Sequence, residues 1–348
     1  MTRNCTKGRI STTSATKHFC SRSADRTSAV LLAAILQCPT FLLSCQKAEL
    51  PVPLGAARTQ IYIQSTEKTT AACLDLFFFQ ADSLGRLDAY QRLEGEIPAT
   101  VTGVSRSGEQ ILVAFAGYAA DRYAWGDVDT YAGIRERSFS LSEDRPDAPF
   151  LSASCHLDEG ASRSAVLTLR PMLSAIRIRT LSCPFSGMPY EGRTLDSLKL
   201  FLSYVCDRCR PLQAGEDRSV SWMNPGYADS SAIERMARPD MVLQETGLSV
   251  GPARKTLGNT LYAYPNPAVD DAFGQMRTRL VLQGILDGQV CYYPIPLPDL
   301  RPARVLEVDI TLTRMGSPDP DIPTESGTVV LETETVPWQD ADASTVHF

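Results

Sequence analysis

The feature that most constrains the fold of this chain is a period-two alternation between residues 306 and 312. The aliphatic side chains Leu306, Val308, Ile310 and Leu312 alternate with Glu307, Asp309 and Thr311. Because successive side chains of a strand point to opposite faces, this pattern predicts a half-buried antiparallel strand. Short strand-like runs rich in apolar residues recur between clusters of Gly, Pro, Asn and Ser, at residues 61–63, 74–79, 111–115, 165–169, 175–179, 198–205 and 278–286. With no long helical pattern, the sequence predicts an all-β chain of β-sandwiches.

The first residues have the features of an export signal. Six basic residues and one acidic residue, Asp25, precede an uncharged run over residues 27–46 that contains Leu42-Leu43-Ser44-Cys45 near its end. A basic start, an apolar stretch and a small residue before a cysteine predict a lipoprotein signal peptide over residues 1–44, cleaved before a diacylated Cys45. Pro39 interrupts the apolar stretch, which is short for a bilayer span of about 20 residues. The sequence therefore predicts attachment to the outer membrane through lipid on Cys45.

Charge and turn residues set further expectations for the exported part. Removing the six basic and one acidic residue of the leader from 34 and 40 leaves 28 and 39, a net charge of −11. An acidic surface argues against nucleic acid as a partner. Pro171 lies between two strand patterns, so we expect one β-sandwich domain over residues 45–170 and a second over residues 171–315.

The C-terminal part, residues 316–348, is predicted to be a linker followed by a strand. Residues 316–327 are acidic and rich in proline, which favours an extended chain outside any sheet interior. In the strand pattern over residues 328–338, one face carries Val329, Leu331, Thr333 and Thr335, and the other carries Glu332 and Glu334. We expect this strand to be able to pair with something other than its own neighbours.

Catalytic motifs are missing from the sequence. The exported part has two histidines, His156 and His347, and no phosphate loop, nucleophile elbow or zinc helix. No enzymatic activity, cofactor or metal is therefore expected. Cys206 and Cys209 are more consistent with a local disulfide than with a redox pair, because a strand precedes them where a redox dithiol needs a helix N-terminus. The six exported cysteines allow fifteen pairings, which the sequence does not resolve.

Several of these pieces, in this order, resemble the FimA-type fimbrillins of Bacteroidales, the lipoprotein-derived subunits of type V pili. The resemblance is densest from Cys291 to Trp338, and includes Tyr292-Tyr293-Pro294, the strand over residues 308–313 and Ile322-Pro323-Thr324-Glu325-Ser326. Weaker similarity covers residues 59–65, 74–79 and 167–179. About a third of the exported chain carries it.

The resemblance implies two tandem transthyretin-like β-sandwich domains and a cell-surface fimbria assembled by donor-strand exchange. It implies that the first strand, residues 59–64 with Ile61 and Ile63, is removed by proteolysis and replaced by the C-terminal strand of a neighbouring subunit. Other pilus subunits are then the partners, and adhesion to host or bacterial surfaces is a further role with no ligand indicated. The loop after the first strand departs from the family, since it contains Lys68 and no arginine.

Two alternatives stay open at this point. A subunit that is not cut would keep its lipid and act as a pilus anchor or assembly regulator. A surface lipoprotein that binds glycans would use aromatic side chains as stacking platforms. The residues available for that role are Trp125, Trp222, Trp338, Tyr262 and Tyr264.

Overall fold

A computed structural model describes residues 55–65, 73–118, 123–213, 222–224, 239–267 and 276–338. The described residues all belong to one compact unit, Pro51–Phe348. The predicted signal peptide and Cys45 lie outside the described residues. Within the described part, no helix is long and apolar enough to span a bilayer.

The described part of the chain contains nineteen strands and two short α-helices, with two 3-10 helices at Leu141–Glu143 and Pro211–Gln213. In chain order the strands β1–β19 are Ala56–Ser65, Cys73–Gln80, Leu87–Glu94, Thr100–Arg106, Gln110–Ala116, Phe139–Ser140, Leu151–Leu157, Ser162–Pro171, Ser174–Ser182, Leu195–Ser203, Val205–Cys206, Arg208–Cys209, Trp222–Met223, Leu243–Glu245, Lys255–Ala263, Arg279–Leu286, Gln289–Pro296, Arg304–Leu312 and Val329–Pro337. The helices are α1, Tyr131–Arg135, and α2, Pro239–Val242. The predicted all-β sandwich fold is confirmed.

The first part of the chain forms a sheet that opens into two halves. Its strand order is β3-β2-β5-β7-β8-β1-β4. Strands β7 and β8 pair only at Leu151 with Pro171 and at Ser152 with Arg170. An apolar cluster with members from β1, β2, β4, β5, β7 and β8 lies between the halves β3-β2-β5-β7 and β8-β1-β4. The inward side chains of both halves therefore share one core, as in a β-sandwich.

The second part of the chain contributes two four-stranded sheets. Their orders are β14-β10-β16-β17 and β15-β9-β18-β19. Strand β18 lies parallel to β9 and antiparallel to β19, so β19 is an edge strand. A second apolar cluster includes side chains of both sheets and continues onto the outer face of β2 and β5. Strand β8 ends at Pro171 and β9 begins at Ser174, and the division into two domains between them stays a prediction.

One region differs from the sequence-based expectation. The proline-rich linker is not an extended tether. Ser317 exchanges two backbone hydrogen bonds of 2.8 Å with Tyr292, and the Asp319 carboxylate accepts one from the Asp321 amide. Proline restricts the linker backbone, but these contacts fold it onto β17.

Candidate functional site

The first strand, β1, lies inside a sheet and not at its edge. It pairs in parallel with β8 over residues 58–65 and antiparallel with β4 over residues 56–62. Further backbone hydrogen bonds extend both ladders, including Arg58 N–H to Ala161 O at 3.0 Å and Ile63 N–H to Ala99 O at 2.9 Å. Removing β1 would therefore leave facing rows of unpaired backbone groups on β8 and β4.

The side chains of β1 also close the first core. Ala57, Thr59 and Ile61 are fully buried, and Ile63 is half-buried against the same cluster. The expected displaced-strand residues Ile61 and Ile63 thus share the inward face of β1. We define the β1 groove as the inward-facing surface that these four residues cover between β4 and β8.

The β1 groove changes in polarity along its length. The end beneath Ile61 and Ile63 is apolar, because the buried side chains of Val101, Ala165 and Leu167 line it. The other end, beside Ala57 and Thr59, is lined by Ser105 and Arg163 and continues to Gln110. The Arg163 Nη2 donates to Ser105 Oγ at 2.7 Å and to Gln110 Oε1 at 2.8 Å. Burial lowers the pKa of the Arg163 guanidinium.

The middle of the β1 groove is narrow because an aromatic ring passes over a glycine. Gly103 on β4 is the register partner of Thr59, and a Cβ built on Gly103 would lie 2.4 Å from Cζ of Phe78. The buried Thr59 hydroxyl has no hydrogen-bond partner among the described residues. A small polar side chain on β1 fits here beside the ring.

The expected donor strand, β19, pairs with its own neighbour β18 in this structure. The donor-face residues Val329, Leu331, Thr333 and Thr335 lie opposite Leu312, Ile310, Val308 and Leu306 respectively. Val329 and Leu331 are half-buried against the second core, whereas Thr333 and Thr335 are exposed. These four residues therefore share one face of an edge strand that is only half covered, and their role as a donor face stays a prediction.

Both ends of β19 are fixed in this position. At the start, the Thr313 amide donates to Thr328 O at 2.9 Å, and Thr328 is buried. At the end, the Trp338 amide donates to Ala303 O at 3.3 Å, and the buried Trp338 ring lies 6.0 Å from the ring of Tyr262. Transfer of β19 to another chain requires the loss of these contacts.

The outer face of β18 and β19 carries opposed carboxylates. Asp309 lies directly opposite Glu332, and Glu307 lies directly opposite Glu334. Arg179 on β9 balances part of this charge, with Nη1 at 3.0 Å from Glu307 and 3.4 Å from Glu334. Burial raises the pKa of Asp309, but hydrogen bonds from Thr180 and Arg179 outweigh it and hold the pKa below its usual value.

Sequence reasoning missed a buried carboxylate on β2. Asp75 is fully buried; it accepts hydrogen bonds from Arg92 Nε at 2.8 Å, from Tyr90 at 2.6 Å, from Trp125 Nε1 at 2.9 Å and from the Tyr118 hydroxyl. Burial raises its pKa, but these hydrogen bonds outweigh burial and hold it below the usual value. Asp75 fastens the segment that follows β5 onto the outer face of β2. A lone acid within Cys73–Gln80 was the available signal.

The cysteines and aromatics singled out from the sequence are mostly interior residues. Cys206 and Cys209 are buried on β11 and β12, which pair with different strands, β13 and β6. Their local disulfide stays a prediction.

Trp125, Trp338 and Tyr264 are buried, so the expectation that they form exposed glycan platforms is wrong. The side chain of Trp222 lies outside the described residues. Among the described residues, no group of three or more His, Cys, Asp or Glu side chains is placed to hold a metal ion.

Comparisons with known proteins agree with this fold. No protein-family model and no curated protein matches the sequence. The structure is similar to a candidate cell adhesion protein from Bacteroides eggerthii DSM 20697, with a TM-score of 0.59 and 14% identity over 83% of this chain and 97% of that chain. It is also similar to a fimbrilin (FimA) from Porphyromonas gingivalis W83, with a TM-score of 0.56 and 11% identity over 81% and 97%. At these identities the likeness shows a shared all-β fold, while the two tandem transthyretin-like domains stay a prediction.

Proposed function

We propose that this chain is a structural subunit of a cell-surface fimbria, exported as a lipoprotein through Cys45 and polymerised by donor-strand exchange. In this proposal β1 is removed, and β19 of a neighbouring copy takes its place. The observation that carries the proposal is the position of β1, which is hydrogen-bonded on both sides and closes a core. The fold shared with a fimbrilin supports the same role.

The physical chemistry of the β1 groove favours a strand as its ligand. Without β1, two strands present unpaired N–H and C=O groups and the buried apolar side chains beneath are exposed to water. An added strand restores both backbone ladders and covers the apolar floor with alternate side chains, which is β-augmentation. Strand β19 supplies such a face with Val329 and Leu331, and it has an accessible position at a sheet edge.

Deletion of residues 327–348 tests the proposal. The face of β19 is only half-buried, so the truncated chain should remain folded, while it should no longer elongate a polymer because it has no strand to donate. The measurement is polymer length by electron microscopy and gel ladder, after proteolytic removal of β1 from both chains. A truncated chain that polymerises as well as the full chain would overturn donor-strand exchange.

A lipid-retained anchor is the second candidate function. The observation that favours it is the sequence of residues 66–72, which contains Lys68 and no arginine. An uncut chain keeps β1 in its groove and so ends a polymer while its lipid holds it at the outer membrane. Intact mass and N-terminal sequencing of protein from the cell surface separate the two. A chain that starts between residues 68 and 86 is a polymerising subunit, whereas one that starts at acylated Cys45 is the anchor.

A further inference from the structure

Two strands of this chain have side-chain gradients that run in opposite directions. On the inward face of β1, the small residues Ala57 and Thr59 come first and the large apolar residues Ile61 and Ile63 follow. On the donor face of β19 the order is reversed. The large residues Val329 and Leu331 come first, and the small polar residues Thr333 and Thr335 follow.

We propose that β19 of a neighbouring copy enters the β1 groove in the direction opposite to β1. This inference rests on the proposed function and adds the direction and register of the inserted strand. Thr335 then takes the place of Ala57, Thr333 that of Thr59, Leu331 that of Ile61 and Val329 that of Ile63. Since β1 is parallel to β8 and antiparallel to β4, the inserted β19 is antiparallel to β8 and parallel to β4.

The polarity of the β1 groove favours this direction. Reversed insertion places Leu331 between Val101 and Ala165, and Val329 beside Leu167, all of which are buried and apolar. It places Thr335 beside Ser105, at the polar end of the groove, and Thr333 at the position of Thr59, where the chain already holds a buried threonine hydroxyl. If β19 instead enters in the direction of β1 over the same four positions, Thr333 and Thr335 take the places of Ile61 and Ile63. Their hydroxyls then lie among apolar side chains, where a buried hydroxyl without a partner is costly.

The shape of the β1 groove agrees with its polarity. The narrow point is at Thr59, where Gly103 leaves room for the ring of Phe78. Reversed insertion places Thr333 at this point, so a threonine replaces a threonine. Insertion in the direction of β1 places Leu331 there, and the longer side chain meets the buried ring.

The outward faces of the two strands also run from polar to apolar in opposite directions. Along β1 the outward residues are Arg58, Gln60 and Tyr62, polar first and aromatic last. Along β19 they are Val330, Glu332 and Glu334, apolar first and charged last. Reversed insertion places Val330 where Tyr62 lies, beside the exposed Val166 on β8, and it places Glu334 where Arg58 lies, beside Ser162.

Disulfide crosslinking between subunits reads the direction of the inserted strand. Each donor variant, Val330→Cys or Glu334→Cys, is combined with one acceptor variant on the outward face of β8, namely Ser162→Cys, Ser164→Cys, Val166→Cys or Thr168→Cys. Polymers are formed from chains lacking β1, oxidised mildly and separated on denaturing gels without reductant. Single-cysteine variants control for the native cysteines.

The two directions give opposite patterns. We expect Val330→Cys to crosslink best to Val166→Cys and Glu334→Cys to crosslink best to Ser162→Cys. The residue number of the best acceptor position on β8 therefore falls as the residue number of the donor position on β19 rises. If the residue number of the best acceptor position on β8 instead rises with that of the donor position on β19, the reversed direction is overturned and donor-strand exchange still stands. This holds whatever the register. Polymers in which neither donor position crosslinks to β8 above the single-cysteine controls would overturn both.

Discussion

Glu307 on β18 and Glu334 on β19 lie directly opposite each other, and the guanidinium of Arg179 is 3.0 Å from the first carboxylate and 3.4 Å from the second. Asp309 and Glu332 form a second opposed pair one position further along the outer face. Like charges placed opposite each other weaken an antiparallel pair by roughly 0.2–1 kcal/mol. Because Arg179 pairs with both Glu307 and Glu334, the repulsion that weakens the pairing of β19 within its own chain lies mainly between Asp309 and Glu332.

Glu332→Gln should strengthen this pairing, because it removes the repulsion from Asp309 without changing the size of the side chain. Amide hydrogen exchange of residues 329–336 should slow by roughly 1.5- to 5-fold. The same variant should polymerise more slowly than the parent chain. Glu325→Gln lies outside β19 and is the matched control. Unchanged exchange in Glu332→Gln would show that the opposed charges are already screened.

Leu331→Asp should block polymerisation while leaving the monomer folded. In its own chain Leu331 is half-buried at a sheet edge, but in the proposed polymer it lies in a dry apolar position, where an unpaired carboxylate costs several kcal/mol. Val330→Asp is the matched control, because the side chain of Val330 is exposed on the opposite face of β19 from Leu331. Polymer yield by sedimentation should fall only in Leu331→Asp. Equal yields from the two variants would mean that this face is not inserted.

Gly103→Ala should destabilise the first core. The added Cβ would lie 2.4 Å from the Phe78 ring, which is buried and has little space to move, so a loss of about 1–3 kcal/mol is expected. Gly108→Ala, whose Cβ meets no atom within 4 Å, is the control. Urea unfolding of both variants measures the difference. A loss no larger than that of the control would show that Phe78 can shift without strain.

The strands whose side chains alternate strongly were predictable from the sequence, and those whose partners decide their burial were not. Residues 306–312 form β18 as expected, because four aliphatic residues recur on one face. Strand β4 escaped notice, since Gly103 and Ser105 occupy two of its three inward positions. The expected strand over residues 328–338 is present as β19, but the sequence does not predict its pairing with β18. That pairing depends on the fold of the linker, which a proline-rich composition does not encode.

The same limit applies to charged residues. Asp75 is a single acid within the apolar strand β2, yet its partners Tyr90, Arg92, Tyr118 and Trp125 come from positions 15 to 50 residues further along the chain. No local spacing rule connects them. Only the antiparallel register of β2 with β3, and the segment that follows β5, bring these donors to one carboxylate.

Asp75→Asn should lower the free energy of unfolding by about 3 kcal/mol, because it leaves the half-buried Arg92 guanidinium facing a neutral amide at the buried position 75. Asp127→Asn breaks an exposed pair with Arg137 and is the control, with an expected loss of under about 1 kcal/mol. Urea unfolding near pH 7 measures both. A loss in Asp75→Asn as small as that of the control would show that the hydrogen bonds of the neutral amide suffice.

The stability of the parent chain should also fall in acid, and Asp75 should account for part of the fall. Its pKa is lower in the folded chain than the value of about 3.9 for an unfolded aspartate. A lowered folded pKa stabilises the fold above the unfolded pKa, and this contribution is lost as the pH falls through the folded pKa. Between pH 5 and about pH 2, the urea midpoint should therefore drop more steeply in the parent than in Asp75→Asn. Parallel curves would mean that Asp309 and other carboxylates, not Asp75, set the acid limit.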